Sequence, residues 1–459
     1  MDSLRVQLLK PGLVDFPGKS DASARLTAHL VHRDFKEHHC FHTDDWFHDH
    51  LTHHILALYD LGASTETIQA TFDVRAKEQR DLFHGKQEPR VEGLITEKNW
   101  HKTMGEKHAA LYPEYLSFFA SCIARDGVST TLEKFLFSPE ANANGTVMLT
   151  RFFSGAFHPF IHTGLGIEFG QDSMVAQGLA LTVLTTPDGA IFMEPSGHIL
   201  LASLRALYAH PDISIPVPQV WTSSDSTMGP FPAPVRWAHA GEEHGTAIRE
   251  VYSEWACDSD VDIDSKIDEI FIQAALMLGA SAPAPRIDFF VMHNLTSAMA
   301  LRPLCSILEK PENKAQVLQM YARSAALMFV VRGFPRVDCN ALMDYPVVPE
   351  HPLAAGHAGG ANPWLAILAN AAAHPEPHVT KSLRALFYAA RRLGHIPTGE
   401  MPGALDSEST EIFSGGCKLD GTVFLRLANM VCEQVGWVAF GEEERGWRYD
   451  GMWPDGAED

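Results

Sequence analysis

Residues 155–169, GAFHPFIHTGLGIEF, are the stretch that most constrains how this chain can fold. If they form a helix from His158 onward, the 3.6-residue period places His158 and His162 together on one face among apolar side chains. A buried polar group without a hydrogen-bond partner costs about 1–3 kcal/mol. A metal ion would satisfy both imidazoles, because histidines four residues apart on a helix can bind one metal ion. Two core histidines bonded to backbone carbonyls or water are the alternative, and this stretch alone leaves both interpretations open.

The rest of the chain shows the same helical periodicity in segments bounded by glycine, proline or serine, and alternating strand patterns are scarce. We therefore predict a mainly α protein, a single large helical domain over residues 1–459 with long Pro/Gly-rich loops and few short strands. We expect three kinds of exception. The N-terminal segment, residues 1–45, should be irregular, with short strand-like pieces at 4–9 and 24–31. Two Pro/Gly-rich tracts cover residues 211–237 and 334–362, and residues 441–459 form an acidic tail with two tryptophans that could dock.

Charge and composition exclude several classes of partner. The formal net charge is −21, from 57 acidic and 36 basic residues, whereas a nucleic acid or an anionic membrane would need a basic face. No apolar run approaches the roughly 18 residues of a transmembrane helix. The 7 cysteines are dispersed without a CxxC pair, as is typical of reduced thiols. With no signal peptide evident, these features predict a cytoplasmic protein that binds neither nucleic acid nor membrane.

Histidine is the unusual residue in the composition. There are 24 histidines, and a dense group of them falls between His38 and His54. If residues 49–63 form a helix, its apolar face also contains His54, so we expect His54 to point inward. We expect the remaining histidines near the start of this helix to lie on a solvated polar face: His48, His50 and His53.

Two further residues could carry chemistry, and each has an ordinary alternative. His293 lies on an apolar helical face, where a lone histidine is more commonly a core residue. Lys381 follows Pro377 in the first turn of a helix, where the macrodipole disfavours an ammonium. A desolvated lysine there would have a lowered pKa, and its neutral amine could react with carbon dioxide to form a carbamate, a carboxylate-like metal ligand. The alternative is an ordinary lysine that extends to solvent.

Familiar catalytic motifs are missing from the sequence. It contains no GxxxxGK[ST], GxSxG or HExxH motif, and residues 164–170 do not match the dinucleotide-binding GxGxxG pattern. His42 and Asp44 match the His-x-Asp half of a 2-His-1-carboxylate iron site. That site is typical of β-rich barrels, which this chain does not suggest.

Four blocks of the sequence, in this order and at these separations, resemble the questin oxidase-like proteins of fungal polyketide pathways: HLTHHILALYDLGAS, GAFHPFIHTGLGIEFG, FFVMHNLTSA and HPEPHVTKSLRALFYA. The resemblance implies a mainly helical fold with a mononuclear non-heme iron centre. It also implies oxidative cleavage of a ring C–C bond of an anthraquinone such as questin, a Baeyer–Villiger-type step without a flavin motif. Carried over to this chain, the implied iron ligands are four histidines and a carboxylated lysine: His54, His158, His162, His293 and Lys381.

This ligand set would leave one octahedral position open for dioxygen or substrate. The predicted cofactor is therefore Fe(II), with NADPH as a candidate electron donor, and the predicted partners are an aromatic polyketide and O2. Phe157 and Thr296 are predicted to contact the substrate.

Three other interpretations compete with the iron oxygenase. A zinc or dinuclear-metal hydrolase would need several aspartate ligands, for which the candidates are Asp44, Asp45 and Asp49. A metal-free NADPH-dependent Baeyer–Villiger oxidase is disfavoured by the missing dinucleotide motif. A non-enzymatic helical scaffold would place inward-facing histidines in four separate segments without a chemical use for them.

Overall fold

The computed structural model describes residues 3–41, 48–83, 94–188, 200–213, 234–255, 257, 262–282, 285–358 and 362–452. The His-x-Asp motif of His42 and Asp44, the hydrolase candidate Asp45, most of the tract 211–237 and the end of the acidic tail lie outside these residues.

The described residues form α-helices α1 to α20, in chain order: Asp21–Glu37, Leu51–Asp60, Thr65–Arg75, Tyr112–Asp126, Val128–Leu132, Pro139–Asn142, Met148–Phe153, His158–Phe169, Asp172–Leu184, Leu200–Leu207, Pro234–Ser253, Ile263–Gly279, Phe289–Ala298, Leu301–Ile307, Pro311–Val331, Cys339–Met343, Pro352–Ala358, Trp364–Ala373, Pro377–Leu393 and Val423–Val435. Extended pairing in this part of the chain consists of isolated bridges. The prediction of a mainly α fold is therefore confirmed.

The chain divides into two compact units. The first unit comprises Met1–Asp188 and Met299–Asn313, and the second comprises Gly189–Ala298 and Lys314–Asp459. Each unit has its own buried apolar core. The boundaries of a single domain over residues 1–459 stay a prediction.

In the first unit, α8 and α9 pack closely because small residues face each other. A Cβ added at Gly178 of α9 would lie 2.1 Å from Thr163 Oγ1 of α8, so only glycine allows this separation. The predicted helix from His158 is confirmed, and α8 ends where Gly170 adopts a left-handed conformation with φ 69°. The close contact places side chains of α8 directly against those of α9.

The prediction of an irregular N-terminal segment is wrong for residues 21–37. Ser20 and Ser23 form a reciprocal capping box that starts α1. The strand-like piece at 24–31 belongs to this helix, where Ala28, Val31 and Phe35 are buried at helical spacing. A short apolar run does not distinguish a strand from a helix face unless the cap that precedes it is recognised.

In the second unit, the two Pro/Gly-rich tracts also contain helix. Helix α11 starts at Pro234, inside the predicted loop tract 211–237, because proline suits the first turn of a helix. The tract 334–362 contains α16, which Asp338 caps, and α17. Of the acidic tail, Trp447 and Met452 are 5% and 1% exposed, so this part packs against the second unit.

No helix among the described residues is both long and apolar enough to cross a membrane. The cytoplasmic location stays a prediction.

Candidate functional site

His158 is positioned by a left-handed turn immediately before α8. Gly155, Ala156 and Phe157 have φ values of 59°, 52° and 64°. This conformation costs a residue with a Cβ about 1–2 kcal/mol, so the surrounding structure has to maintain it. Asp188 contributes by accepting a hydrogen bond from the Gly155 amide at 2.9 Å. The turn brings the Gly155 carbonyl oxygen to 2.6 Å from His158 Nδ1, which therefore donates and leaves the lone pair on Nε2.

His50, which precedes α2, faces the lone pair of His158. The two Nε2 atoms are 2.8 Å apart, and the rings are nearly perpendicular. The His48 ring stacks on a face of the His158 ring, with centroids 4.1 Å apart. Two imidazoles bound about 2.1 Å from one metal ion at adjacent octahedral positions would have their nitrogens about 3 Å apart. The separation of His50 and His158 therefore fits two ligands of one metal ion as well as it fits a hydrogen bond.

A second pair of histidines belongs to a hydrogen-bond chain that fixes their tautomers. Gln177 Nε2 donates to Asp34 at 3.1 Å, so Gln177 Oε1 accepts from His162 Nε2 at 3.3 Å. His162 Nδ1 must then accept, and it lies 3.0 Å from His53 Nε2, which donates. Because a neutral imidazole carries one proton, the lone pair of His53 is on Nδ1. Asp34, at the end of this chain, also accepts from His38 Nδ1 at 2.8 Å.

These contacts correct one prediction about the histidines of α2. His53 is 1% exposed, so a solvated polar face is wrong for this residue, and His48 and His50 are half-buried. All ten residues of α2 are buried, so the helix has no polar face from which the inward one could be recognised. His54, at 2% exposed, lies on the same helix, and its role as a ligand stays a prediction.

A small cavity lies beside these rings in the first unit, lined by Cys40, His48, Asp49, His53, His158, His162, Gln177 and Leu181. Burial, followed by the charge of Asp34, raises the pKa of the Asp49 carboxyl well above its usual range. Burial also lowers the pKa of His162. The two shifts favour the uncharged imidazole of His162, the form that binds metal ions, and the protonated acid of Asp49 over the carboxylate that a hydrolase site would use.

The second unit holds its own histidine pair. His293 Nδ1 donates to the Phe289 carbonyl oxygen at 2.9 Å, and His378 Nδ1 donates to Glu376 Oε1 at 2.5 Å. Each ring offers a nitrogen within 4.8 Å of the other, and the ring centroids are 5.0 Å apart. Histidines that bind a metal ion commonly donate their second N–H to a carbonyl or carboxylate in this way. Sequence analysis missed His378, although its position one helical turn before Lys381 was a usable signal.

Lys381 lies one turn after His378 in α19 and is 7% exposed. Its Nζ has no hydrogen-bond partner within the described residues. Burial lowers the pKa of Lys381 to about 7, although the charge of Glu376 opposes the shift. Of the two alternatives that the sequence left open for Lys381, the structure favours the desolvated amine, which near pH 7 is partly uncharged and nucleophilic.

Glu376 and His293 complete the electrostatics of this group. Burial raises the pKa of Glu376, but His378, by its charge and its hydrogen bond, outweighs burial and holds the pKa well below the usual range. Burial, followed by His378 and Lys381, lowers the pKa of His293. The group therefore combines an ionised carboxylate, a neutral imidazole and an amine that titrates near neutral pH.

The two predicted substrate contacts are both buried. Phe157 is 1% exposed and meets Phe153 edge to face, with ring centroids 6.5 Å apart. Thr296 is 6% exposed, and its hydroxyl lies 3.8 Å from the sulfur of Met292. Their contact with a substrate stays a prediction.

Comparison with known proteins agrees with the four sequence blocks. A family model described as "Questin oxidase-like" matches residues 47–386, most of the chain. The Baeyer-Villiger oxidase AgnL3 of Paecilomyces divaricatus is 25% identical over 95% of this chain and 93% of its own length. The questin oxidase of Aspergillus terreus is 26% identical over 78% of each protein, and the oxidoreductase AflY of Aspergillus parasiticus is 27% identical over 73% of this chain and 68% of its own. The chain belongs to the questin oxidase-like family and is an oxidoreductase.

Proposed function

We propose that this protein is an Fe(II)-dependent oxygenase that uses dioxygen to cleave a ring C–C bond of an anthraquinone-type polyketide. The names of its relatives, questin oxidases and Baeyer-Villiger oxidases, support an oxidase that acts on this class of substrate. The observation that carries the iron dependence is the 2.8 Å approach of the Nε2 atoms of His50 and His158.

Candidate iron ligands are identified in each unit by itself, from the hydrogen-bond partner of the second ring nitrogen. In the first unit, His158 Nδ1 donates to a backbone carbonyl and its Nε2 faces His50. In the second unit, Nδ1 of His293 and of His378 donates to a carbonyl and to a carboxylate, so in the neutral form of each ring Nε2 carries the lone pair. Bound Fe(II) would supply the activation of dioxygen.

Two residues of the predicted ligand set, His162 and His54, differ in how well the contacts support them as ligands. Both nitrogens of His162 already have partners, His53 and Gln177, which favours a supporting role for this residue. His54 remains a candidate ligand. The mononuclear iron centre itself stays a prediction.

Lys381 would contribute as a carbamate. Its neutral amine can attack carbon dioxide, lose a proton and become a monoanionic oxygen ligand. An anionic oxygen among neutral imidazoles suits ferrous iron. The buried position would also keep water away from the carbamate and slow its loss.

The overall reaction that we propose balances with NADPH as reductant. One atom of O2 enters the bond between a quinone carbonyl carbon and its ring neighbour, and the second atom leaves as water. Two electrons and a proton come from NADPH, which leaves as NADP⁺, and one further proton is taken from solvent. The resulting lactone or ester would open by hydrolysis.

Elemental analysis of protein purified without chelators tests the metal. We expect near-stoichiometric iron in the wild type and its loss in His158→Ala. The matched control is His39→Ala, which removes another buried histidine of the first unit, one whose ring nitrogens lie against the backbone at Ala109 and Phe41. Zinc in place of iron would favour the hydrolase. No metal in any of the three, and none bound on ferrous reconstitution, would contradict the proposal.

Dioxygen uptake with questin as probe tests the reaction. We expect uptake that depends on iron and NADPH, with one labelled oxygen atom from ¹⁸O₂ in the product. Turnover at full rate by a metal-free preparation would instead support the metal-free Baeyer–Villiger oxidase.

A further inference from the structure

The described part of the acidic tail contacts the residues that orient His378 and His293. The tail residues that make these contacts, Trp447 to Met452, lie beyond residue 386, where the family match ends. Two of the contacts that they make within the second unit involve these orienting groups.

The first contact is with the carboxylate of Glu376. Trp447 Nε1 donates to Glu376 Oε2 at 2.6 Å, while His378 Nδ1 donates to Oε1 of the same carboxylate at 2.5 Å. Glu376 Oε2 also accepts from the Val379 amide and caps α19. The carboxylate is therefore held in one orientation, and the indole of Trp447 is one of the groups that hold it.

The second contact is with Phe289, at the start of α13. Its amide donates to the Arg448 carbonyl oxygen at 2.8 Å, and its own carbonyl accepts from His293. The Tyr449 ring lies against the Phe289 ring, which in turn packs on His378, with centroid distances of 4.7 Å in both cases. The tail thus also fixes the backbone group that sets the orientation of His293.

A buried ion pair anchors the tail in this position. Arg332 and Asp288 are 2% and 0% exposed, and their side chains pair at 2.7 Å. Arg332 donates to the Tyr449 carbonyl oxygen at 2.6 Å, and its own carbonyl accepts from the Met452 amide at 2.8 Å. Since these partners lie inside the second unit, the tail segment is an integral part of that unit.

We propose that Trp447 is a positioning residue for His378, acting through the carboxylate of Glu376. The inference rests on the proposed metal-binding function of His378. Without the indole N–H, the carboxylate loses one of the donors that fix it, and the imidazole it orients samples more directions. Loss of such an outer partner typically weakens metal binding about 10–100-fold.

The test compares Trp447→Phe with Trp437→Phe. Trp437 is also buried in the second unit and also donates its indole N–H to a carboxylate, Glu433 Oε1 at 2.7 Å, whereas the carboxylate that accepts from His378 is that of Glu376. Iron affinity is measured by competition with a chelator of known strength. We expect about tenfold weaker binding in Trp447→Phe, a change of less than twofold in Trp437→Phe, and similar thermal midpoints in the two variants. Glu376→Gln, which removes the charge directly, should weaken binding at least as much as Trp447→Phe.

A metal-free measurement separates this inference from the proposed function. In histidine-labelled protein with the His378 signals assigned, the ¹⁵N shifts report which ring nitrogen carries the proton and how strongly it is hydrogen-bonded. We expect Trp447→Phe to shift the Nδ1 signal of His378 and Trp437→Phe to leave it unchanged. If the wild type binds no iron but the shift occurs, the proposed function fails and the positioning role stands. Unchanged shifts in both variants, or equal iron affinities, would overturn the inference.

Discussion

The buried amine of Lys381 makes the stability of the metal-free protein depend on pH in a defined direction. Burial lowers the pKa of Lys381 from 10.5 to about 7 in the folded protein. Replacing it by methionine keeps an unbranched side chain and removes the ionisable group. The comparison of wild type with Lys381→Met therefore isolates the effect of this amine on the free energy of unfolding.

The magnitude follows from the two pKa values. Below about pH 7 the amine is charged in both states, and one pKa unit corresponds to 1.36 kcal/mol, so the buried ammonium lowers stability by about 5 kcal/mol. Between about pH 7 and 10.5 the unfolded state holds a proton that the folded state has lost, so stability rises with pH by about 1.4 kcal/mol per pH unit. Lys381→Met lacks this dependence. Its advantage over the wild type should be largest at pH 6 and nearly gone by pH 10.

The assay is urea unfolding at several pH values from 6 to 9.5, in buffers free of carbon dioxide and with a chelator present. Exposed Lys102 provides the control variant Lys102→Met, whose difference from the wild type should stay constant across this range. A difference between Lys381→Met and the wild type that is independent of pH, or that grows as pH rises, would refute the reasoning.

Carbon dioxide adds a second arm to the same experiment. Near neutral pH the neutral amine that forms a carbamate is populated mainly in the folded state, so bicarbonate should stabilise the wild type more than Lys381→Met. A carbamate signal from ¹³C-bicarbonate in the wild type, missing in the variant, would identify the product. Equal stabilisation of both proteins would contradict carbamate formation at Lys381.

Three further changes test how the first unit is built. Gly178→Ala should lower the free energy of unfolding by about 1–3 kcal/mol, because its Cβ would meet Thr163 Oγ1 at 2.1 Å. The control is Gly356→Ala, a helical position with open space, which should raise the free energy of unfolding by up to about 1 kcal/mol in the same thermal unfolding assay. Ala156→Gly should relieve the left-handed strain at φ 52° and stabilise the protein by about 1 kcal/mol, which thermal unfolding would show as a higher midpoint. An unchanged or lower midpoint would contradict this strain. Gln177→Leu leaves a buried N–H and a buried carboxylate each short of a partner, so urea unfolding should show a loss of about 1–3 kcal/mol, and a neutral result would contradict the hydrogen-bond chain.

Local patterns in the sequence predicted the helical class and several site residues. The spacing of His158 and His162 predicted α8, and Lys381 lies in the first turns of α19 as expected. The burial that lowers the pKa of Lys381 was one of two alternatives that the sequence left open. These predictions succeeded because helical periodicity and helix ends depend on residues only a few positions apart. The strand-like interpretation of residues 24–31 failed for the same kind of reason, since a short apolar run fits two periods.

The partners of each histidine depended on contacts over long separations in the chain. His50 and His53 meet His158 and His162 across more than 100 positions. All of α2 is buried, so its own pattern could not indicate which histidine faces α8. Only the packing of helices, set in part by the glycine contact between α8 and α9, decides those distances.

The sequence by itself determined that this chain is mainly helical, and it singled out histidines and one lysine as candidates for a site. The tertiary structure decided which rings share hydrogen bonds, and that Glu376 and Trp447 orient His378. The physical reason is that burial and helix formation follow from short-range pattern and apolar surface. The direction of an imidazole lone pair depends instead on a partner that the fold supplies from elsewhere in the chain.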